Sequence, residues 1–503
     1  MRRLARASLV GAAVAVAAAR LWAAQGLVFD DLNKDGVWEP DEPGLADVAV
    51  SNGVEVVRTD GNGHYRLPDR AGAHTFVIKP RGWRPPADAQ NIPRYYGRPQ
   101  AGEVLNFALV PHLEPDQMTA VVTTDTQPST PAEVDFLKRG LVDRIGHRPD
   151  FAFGVTLGDL VYDRPDLFGA VSGALAQVGT PWYNVAGNHD LRLGTPDEAT
   201  AVAAFESAYG PSTFAFHAGP ALFVGLDDVR PQGGPRYVGG LREDQFEFLA
   251  HLLELSPPSE WVVIMLHIPL FPPDPSGTEG FRTADRLRLF GLLRGRERVL
   301  VLSGHTHYQR HVLHDASDGW TGKVPLHEYN VAAACGGFWG GPADANGIPV
   351  ATMWDGTPPG YALMAFSGDR VTLDYVPART DRQIALHVPA SLRPGQGYVS
   401  FYANVFNGYD GWTVESRVDE RAWGPLRRIL GWDPSYADAF LAQDAAAHPS
   451  KGTRLPDPVV CYHLWRGILP ADLAPGRHTV HVRATDPDGR ASSADQTFEI
   501  VRD

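Results

Sequence analysis

Five short clusters of aspartate, asparagine, glutamine and histidine occur in the middle of the chain, each at or just after the end of a predicted strand or loop. In an α/β sheet the carboxyl ends of the strands form one rim, where ligands bind. Side chains from several strands are therefore expected to meet there, and their oxygen and nitrogen atoms suit divalent transition metals. The clusters are Asp125-Thr126-Gln127, Gly158-Asp159 with Asp163, Gly187-Asn188-His189-Asp190, His267, and Gly304-His305-Thr306-His307.

Each cluster alone has a plain structural interpretation. A lone Gly-Asp pair is usually a turn, Asn-His-Asp is more often a capped loop, and His267 alone would usually be a core histidine with satisfied hydrogen bonds. Gly304-His305-Thr306-His307 is moderately specific. All five clusters in this order favour a metal site over the structural interpretation.

The elements that position these clusters are predicted between about residues 118 and 377, where strand-like and helix-like segments alternate. Thr130-Pro131-Ala132-Glu133 has the composition of a capping box with proline at the first helical position, and residues 195–198 repeat it. The alternation predicts an α/β domain with a largely buried sheet covered by helices. Strands are predicted at residues 119–124, 151–157, 221–226, 261–266 and 298–302, and a helix at 165–178.

The segments on either side of this domain are β-prone. Short runs between turn signals such as Asn52-Gly53 and Asp60-Gly61 predict a small β-sandwich. The C-terminal part is again β-rich, with an irregular insert at about residues 423–456. At ~150 residues per domain, 503 residues allow about three domains. The predicted divisions are a signal peptide at 1–24, an N-terminal β-domain at 25–113, the α/β domain at 118–377 and a C-terminal β-domain at 378–503.

The N-terminus has the pattern of a signal peptide. Arg2, Arg3 and Arg6 precede an apolar run at residues 9–19, and small residues follow. The run is shorter than the ~20 residues that a membrane span needs, so we expect a secreted or periplasmic protein without a span after cleavage. The only two cysteines, Cys335 and Cys461, exclude a disulfide scaffold but leave a single bridge open.

The order of the clusters resembles the calcineurin-like metallophosphoesterase superfamily, whose pattern is Asp-x-His, Gly-Asp, Gly-Asn-His, a single His and Gly-His-x-His. The resemblance covers roughly residues 120–376. It implies a central β-sandwich core covered by helices and flanked by two small all-β sandwich domains. The glycine-rich stretch at residues 336–341 and the Asp-Gly-Thr-Pro segment at 355–361 are similar to the branch with N- and C-terminal β-domains.

This resemblance implies a role for each cluster. Asp159 would bridge two metal ions, His189 would protonate the leaving oxygen, and Asp163 is the candidate that orients His189, with Asp190 as the alternative. Phe338 and Trp339 either wall the substrate pocket or pack under the C-terminal domain. The remaining ligands would be Asp125, Gln127 and His307 at the first metal, and Asn188, His267 and His305 at the second.

One position departs from the common pattern. Many members of the superfamily carry histidine where this sequence has Gln127. Because an amide oxygen is a harder and weaker ligand than imidazole, the first site is expected to be less committed to zinc than the second. The predicted cofactors are two divalent ions chosen from manganese, iron, zinc and magnesium.

The reaction implied is hydrolysis of a phosphate mono- or diester by a metal-bridging hydroxide, with a histidine general acid. The rival from another class is a catalytically inactive, exported binding or cell-wall-associated module. A nuclease of the same superfamily is disfavoured, because a net charge of −14 and the lack of a basic stripe argue against binding a nucleic acid backbone. The sequence does not predict an oligomeric state.

A second ion site is predicted near the N-terminus. Asp31, Asn33, Asp35, Gly36 and Glu42 occupy positions 1, 3, 5, 6 and 12 of a calcium-loop pattern. The flanks are β-like, which argues against an EF-hand. The alternatives are a structural calcium site and a metal-free turn.

Overall fold

A central α/β sandwich lies between two all-β sandwiches in the computed structural model, which confirms the predicted fold class. The structure describes residues 22–68, 70–99, 103–195, 197–272, 280–445 and 454–501. No helix in these ranges is long and apolar enough to cross a membrane.

The N-terminal domain consists of two four-stranded sheets, ordered β4-β1-β8-β6 and β3-β2-β5-β7. In β4 the side chains alternate, so that Tyr65 and Leu67 are buried while His64 and Arg66 face solvent. Phe76 packs edge-on against Phe248 of the central domain at 5.8 Å. The strands are β1 (Trp22–Asp30), β2 (Ala49–Ser51), β3 (Val56–Arg58), β4 (His64–Pro68), β5 (Thr75–Val77), β6 (Trp83–Arg84), β7 (Tyr96–Gly97) and β8 (Phe107–Pro111).

The first strand begins before the predicted domain boundary. Trp22 pairs with Pro68 and Ala24 with Leu67, so β1 starts upstream of residue 25. Signal cleavage after Ala19 would leave this strand whole, whereas cleavage near Ala24 would shorten it. The predicted signal peptide itself lies almost entirely outside the described residues.

The central domain packs a five-stranded sheet, β11-β10-β9-β20-β21, against a six-stranded sheet, β12-β13-β16-β17-β19-β18. Strands β9 to β11 are parallel, as are β13, β16, β17 and β19. The strands are β9 (Met118–Thr123), β10 (Gly154–Leu157), β11 (Trp182–Val185), β12 (Thr213–Ala218), β13 (Ala221–Leu226), β14 (Val229–Pro231), β15 (Tyr237–Gly239), β16 (Trp261–Met265), β17 (Val299–Ser303), β18 (Arg310–His314), β19 (Leu326–Asn330), β20 (Gly360–Ser367) and β21 (Arg370–Pro377).

The parallel strands at the centre of the two sheets are mostly apolar because both of their faces are covered. Every residue of β10 and of β13 is buried, as expected for parallel strands covered on both faces. The inner faces meet in one core, which includes Val122, Val155 and Phe223. The helices are α1 (Pro131–Leu137), α2 (Asp143–Ile145), α3 (Phe168–Leu175), α4 (Glu198–Tyr209), α5 (Glu243–Glu254) and α6 (Thr283–Leu293), with a π-helical turn at Lys138–Val142 between α1 and α2.

Helix starts follow local sequence. Thr130 and Glu133 form the predicted capping box of α1. The second capping prediction was wrong in position, because the N-cap of α4 is Asp197, whose carboxylate accepts from the Thr200 backbone N–H at 2.7 Å. An aspartate one residue before the helix caps it directly.

The C-terminal domain is a second β-sandwich, with sheets ordered β22-β24-β28-β27 and β23-β30-β29-β25-β26. The segment predicted as an irregular insert instead contains two strands and a 12-residue helix. The elements are β22 (Ile384–His387), β23 (Ser391–Leu392), β24 (Ser400–Val405), β25 (Thr413–Val418), β26 (Gly424–Pro425), β27 (Arg427–Gly431), α7 (Pro434–Ala445), β28 (Cys461–Ile468), β29 (Gly476–Thr485) and β30 (Ala491–Ile500).

Candidate metal centre

The predicted metal-binding side chains lie at the carboxyl ends of five parallel strands drawn from both central sheets. Asp125 follows β9, Asp159 follows β10 and Asn188 follows β11. His267 follows β16 and His305 follows β17. The sandwich therefore brings the two sheets' polar loops to one edge.

One group of ligands surrounds Asp159. Single ligand atoms of Asp159, His267 and His305 lie within 4.8 Å of one another. The His267 Nε2 atom is 3.3 Å from Asp159 Oδ1 and 3.0 Å from Asn188 Oδ1. These four side chains offer two nitrogen and two oxygen donors to a single ion, a set that suits a divalent transition metal.

A second group lies on the other side of the Asp159 carboxylate. The Gln127 amide donates from Nε2 to Asp159 Oδ2 at 2.6 Å, and His307 Nε2 is 3.5 Å from Asp125 Oδ1. Asp125 Oδ1 is buried and has no hydrogen-bond partner among the described residues. A buried carboxylate oxygen without a partner is costly, so this atom fits a cation ligand.

Hydrogen bonds to the protein orient two of the histidines. The Nδ1 atom of His267 is 2.8 Å from the Leu157 carbonyl, and the Nδ1 atom of His307 is 2.6 Å from the Gly336 carbonyl. A carbonyl only accepts, so each Nδ1 carries a proton, and each Nε2 is the nitrogen that remains for a metal ion. This tautomer is the one that metal ligation requires.

The carboxylates are held by neighbouring donors. The Thr124 hydroxyl and the His305 backbone N–H donate to Asp125 Oδ2, at 2.5 and 2.9 Å. Asp228, buried beside the site, accepts from the backbone N–H groups of His267 and Ile268, at 3.1 and 2.9 Å. Sequence reasoning missed Asp228, whose only signal is its position just after the carboxyl end of β13.

Backbone strain is concentrated at this edge of the sandwich. Of the fourteen described non-glycine residues with positive φ, eight lie in the loops that carry the candidate site. Such conformations cost about 1–3 kcal/mol each and persist where the surrounding structure imposes them, which is typical of functional sites. The eight are Asp125, Gln127, Asp159, Asp163, His305, His307, Phe338 and Trp339, with φ between 38° and 75°.

The electrostatics of the cluster favour a single positive charge, on His267. Burial opposes ionisation of His267, but the Asp159 carboxylate outweighs it and raises the His267 pKa to about 10. Burial raises the pKa of Asp125, and it raises that of Asp228 to about 7. For His305, burial and the charge on His267 lower the pKa to about 3. A cluster that draws a proton onto one buried histidine is suited to a bound cation.

His189 lies at the mouth of the site with its ring partly exposed. Its Nδ1 atom is 3.0 Å from Asp163 Oδ1, and the side chains are 22% and 64% exposed. The ring of Tyr162 stacks on the imidazole at 4.2 Å. Asp190, the alternative partner predicted from sequence, is buried and accepts from the backbone N–H groups of Gly187 and Val161 instead.

The two aromatic residues predicted near the pocket have different surroundings. Phe338 is 36% exposed and its ring lies 4.3 Å from that of His307. Trp339 is 6% exposed, donates from its indole N–H to the Thr126 carbonyl at 2.9 Å, and contacts Phe136 of α1. Phe338 therefore faces the site, and Trp339 lies behind the 125–127 loop rather than under the C-terminal domain.

Both cysteines are buried free thiols. The Cys335 sulfur is 3.4 Å from Gln127 Oε1, and the Cys461 sulfur is 3.3 Å from His463 Nδ1. Each thiol thus has its own neighbours in a different region, so the disulfide that the sequence left open is absent.

The predicted calcium loop is held by hydrogen bonds between its own residues. Asp31 accepts from the backbone N–H groups of Asp35 and Gly36, at 3.2 and 3.0 Å, and Glu42 accepts from that of Leu32 at 2.9 Å. Asp31 and Glu42 are buried, whereas Asn33 and Asp35 are exposed. The loop follows β1 directly, as the β-like flanks predicted.

Comparisons with known proteins point to one family. Models for the N terminal of calcineurin-like phosphoesterase, for calcineurin-like phosphoesterase itself and for the C terminal of calcineurin-like phosphoesterase match residues 32–112, 118–309 and 328–491 respectively. Together these three segments cover most of the chain. No curated protein matches the sequence significantly.

Solved structures show weaker similarity. A purple acid phosphatase from yellow lupin (Lupinus luteus) seeds has 13% sequence identity and a TM-score of 0.38, covering 66% of this chain and 67% of that one. A cold-active protein-tyrosine phosphatase of a psychrophilic Shewanella sp. has 11% identity and a TM-score of 0.23, covering 61% of this chain and 97% of that one. These scores are too low to carry an argument, so the family rests on the three sequence models.

Proposed function

Because this chain belongs to the calcineurin-like phosphoesterase family, in the branch with N- and C-terminal extension domains, we propose that it hydrolyses a phosphate mono- or diester with two divalent metal ions. The observation that carries the proposal is the position of Asp159. One of its carboxylate oxygens faces His267 and the other faces Gln127. A carboxylate placed between two sets of ligands is suited to bridge two ions.

The residues present fit these ions. Asp125, Gln127 and His307 would hold the first and Asn188, His267 and His305 the second, both shared with Asp159. To act as a ligand, the Gln127 amide would have to present its oxygen, which requires the opposite orientation of its carboxamide. Two bound cations of manganese, iron, zinc or magnesium would neutralise charge on the phosphate and supply hydroxide from water at neutral pH.

The role of His189 is to deliver a proton to the leaving oxygen. Its Nδ1 atom is engaged by Asp163, so its Nε2 atom is free to point towards bound ester. Asp163 fixes the tautomer, and stacking by Tyr162 restricts rotation of the ring. Two side chains thus hold the acid in one orientation, although Asp163 itself is exposed.

The ester's organic group would contact an aromatic rim. Tyr162 and Phe338 are 40% and 36% exposed and meet edge-to-face at 5.9 Å, next to His189 and His307 respectively. Exposed aromatic side chains beside a polar centre favour an organic group with an apolar or planar face. We assign this contact to Phe338 and not to the buried Trp339.

The location proposed for this activity is outside the cytoplasm. It rests on the basic and apolar pattern of the first residues. Detection of mature protein in the extracytoplasmic fraction, with a processed N-terminus, would support it.

The rival function, an inactive exported binding module, makes a different prediction about the site. A decayed site is expected to have lost ligands, yet Asp159, His189, His305 and His307 are all retained. The buried, unpartnered oxygen of Asp125 also favours a working site, because without a cation it only destabilises the fold.

The test is hydrolysis of p-nitrophenyl phosphate and bis-p-nitrophenyl phosphate by protein reconstituted with manganese, beside His189→Ala. The matched control is His481→Ala, because His481 forms a similar pair with Asp495 at 2.7 Å in the C-terminal domain. Metal-dependent turnover that is lost in His189→Ala and kept in His481→Ala supports the proposal, and the better ester sets the substrate class. Absence of both turnover and bound metal would overturn it in favour of the binding module.

A further inference from the structure

A buried polar network joins the central and C-terminal domains. It consists of Asp355, after the glycine-rich stretch of the central domain, and Asn404, Asp433 and His463 of the C-terminal domain, and we call it the Asp355 network. Asp355 Oδ2 is 3.0 Å from His463 Nε2, and His463 Nδ1 is 2.7 Å from Asn404 Oδ1. The Asn404 amide donates to the Asp355 carbonyl and to Asp433 Oδ2, both at 3.0 Å.

The network reaches the chain segment that follows His307. The backbone N–H of Gln309 donates to Asp355 Oδ2 at 2.9 Å, the same oxygen that faces His463. The other oxygen of Asp355 accepts from the Thr357 backbone N–H at 2.9 Å. Asp355 therefore links a C-terminal-domain histidine to the loop that carries two candidate metal ligands.

Three consecutive residues after that loop contact the C-terminal domain directly. The Gln309 side chain donates to the Phe406 carbonyl. The Arg310 guanidinium lies over the Tyr462 ring at 3.8 Å. The His311 Nε2 atom is 2.9 Å from Asn407 Oδ1. The end of the metal-binding loop is thus clamped from outside its own domain.

The residue that precedes the Asp-Gly-Thr-Pro segment stacks on His307 itself. The ring of Trp354 lies parallel to the His307 imidazole, with ring centres 5.5 Å apart and an angle of 15° between planes. Gly356 has φ of +83°, and a Cβ atom there would approach Asp433 to 2.4 Å. Glycine is required at this position because it lets Asp433 close the network beside Asp355.

We infer that Asp355 is a positioning residue for His307, and that the C-terminal domain thereby forms part of the metal centre. This inference rests on the proposed function, because it assigns a role at the same site. A metal ligand needs its orientation fixed by surrounding groups, and loss of such groups typically weakens metal binding by about 10–100-fold. Here Trp354 fixes the ring from one side while Gln309, anchored on Asp355, fixes the backbone.

The two metal sites should respond unequally. The second site is held by contacts inside the central domain, since His267 is bound by Leu157 and Asp228. The C-terminal domain makes its contacts immediately after His307, a ligand of the first site. Damage to the network should therefore weaken the first site more than the second.

The experiment is calorimetric titration of the full chain with Mn²⁺, comparing wild type with His463→Leu and His463→Gln. Leucine removes the donor to Asp355, whereas glutamine keeps an N–H group that can reach it. Val482→Ala is the control. Val482 is buried in the C-terminal core and does not belong to the network, so this substitution loosens the domain while it leaves the network intact. We expect wild type to bind two Mn²⁺ ions. In His463→Leu one of the two ions should bind roughly tenfold more weakly, and in His463→Gln its affinity should be largely restored.

Four outcomes would overturn the inference. Unchanged affinity at both sites in His463→Leu would show that the network does not position His307. Equal weakening at both sites, or the same weakening in Val482→Ala, would show a general effect of loosening the C-terminal domain. A wild type that binds no Mn²⁺ and hydrolyses no ester would overturn the proposed function as well, which distinguishes the two failures.

Discussion

The metal centre and the Asp355 network are built from the same kinds of side chain and differ in how those side chains are satisfied. Both bury aspartate, asparagine and histidine. In the network, Asp355 accepts three hydrogen bonds through its carboxylate, and Asn404 and His463 each use both ends of the side chain. In the candidate metal centre, Asp125 keeps an oxygen without a hydrogen-bond partner among the described residues, and the backbone that carries the candidate ligands is strained.

This difference teaches that buried aspartate and histidine do not by themselves identify a site. A polar cluster whose members satisfy one another stabilises the fold, because each desolvated group has recovered its hydrogen bonds. A cluster with unmet groups and strained backbone destabilises the protein until a ligand supplies the missing partner. The two regions should therefore respond in opposite ways to loss of a carboxylate.

The largest effect is expected for Asp159→Asn. Loss of the shared carboxylate should weaken the binding of both metal ions. The transition state should then lose several kcal/mol of stabilisation, which corresponds to at least a ~10³-fold lower kcat/KM. In the presence of EDTA the variant should be only slightly less stable than wild type, because asparagine keeps an acceptor for the His189 backbone N–H but loses the charge that pairs with His267. Ester hydrolysis and thermal unfolding measure the two quantities. A large loss of stability in EDTA would contradict the comparison, because Asp159 would then act as a structural residue.

The next effect is expected for Asp355→Ala. His463 and the Gln309 backbone N–H would be left buried without their partner, at a cost of about 3 kcal/mol or more in the free energy of unfolding. Urea unfolding, with and without EDTA, measures this cost. The loss should be about 1 kcal/mol larger with bound Mn²⁺ than in EDTA, because a roughly tenfold weaker first metal site adds to the cost of the broken network. A variant as stable as wild type would contradict this prediction, because it would show that the hydrogen bonds of Asp355 do not stabilise the fold.

A smaller effect is expected at the 31–42 loop, where the carboxylates are satisfied by backbone N–H groups yet match a calcium pattern. If calcium binds there with the affinity of extracellular modules, 5 mM Ca²⁺ should stabilise the protein by about 1–2 kcal/mol. Thermal unfolding with Ca²⁺ and with Mg²⁺ tests this, and Glu42→Gln should abolish the difference. Identical unfolding curves with Ca²⁺ and with Mg²⁺ would show that the loop is a metal-free turn.

The smallest effect, and the one opposite in sign, is expected for Asp125→Asn without metal. The change removes a buried negative charge close to Asp159, so the free energy of unfolding in EDTA should rise by about 0.5–1 kcal/mol. With Mn²⁺ the order should reverse, because wild type alone keeps its ligand. Chemical unfolding in the two conditions gives both numbers. Destabilisation in EDTA would mean that Asp125 is satisfied by a group in the protein.

Local sequence predicted the fold class and brought the candidate ligands to one edge of the sandwich, because each cluster directly follows a strand and parallel strands end at a common rim. The helix α7 was missed for a physical reason. Only Tyr436 of its twelve residues is buried, so no apolar stripe marks it. The roles of Tyr162 and Trp354 could not be predicted either, since stacking on His189 and His307 depends on how separate loops meet.

The Asp355 network lay beyond sequence reasoning for a related reason. Its members show no periodicity, and His463 is 108 residues away from the aspartate it contacts. The Asp-Gly-Thr-Pro segment was noticed only as a resemblance. In the structure this segment places a glycine beside Asp433 and a carboxylate beside His463 of the C-terminal domain.

The clamp on residues 309–311 also constrains the order in which the protein can mature. Its hydrogen bonds connect positions that are 96 and 97 residues apart, and the link to His463 spans 108. During synthesis, most of the C-terminal sandwich must leave the ribosome before residues 309–311, which follow the loop carrying His307, can form these contacts. Long-range closures of this kind form late and slowly. The enzyme should therefore gain its full metal affinity only as the last domain docks, and fragments ending near residue 377 should fold without completing the centre.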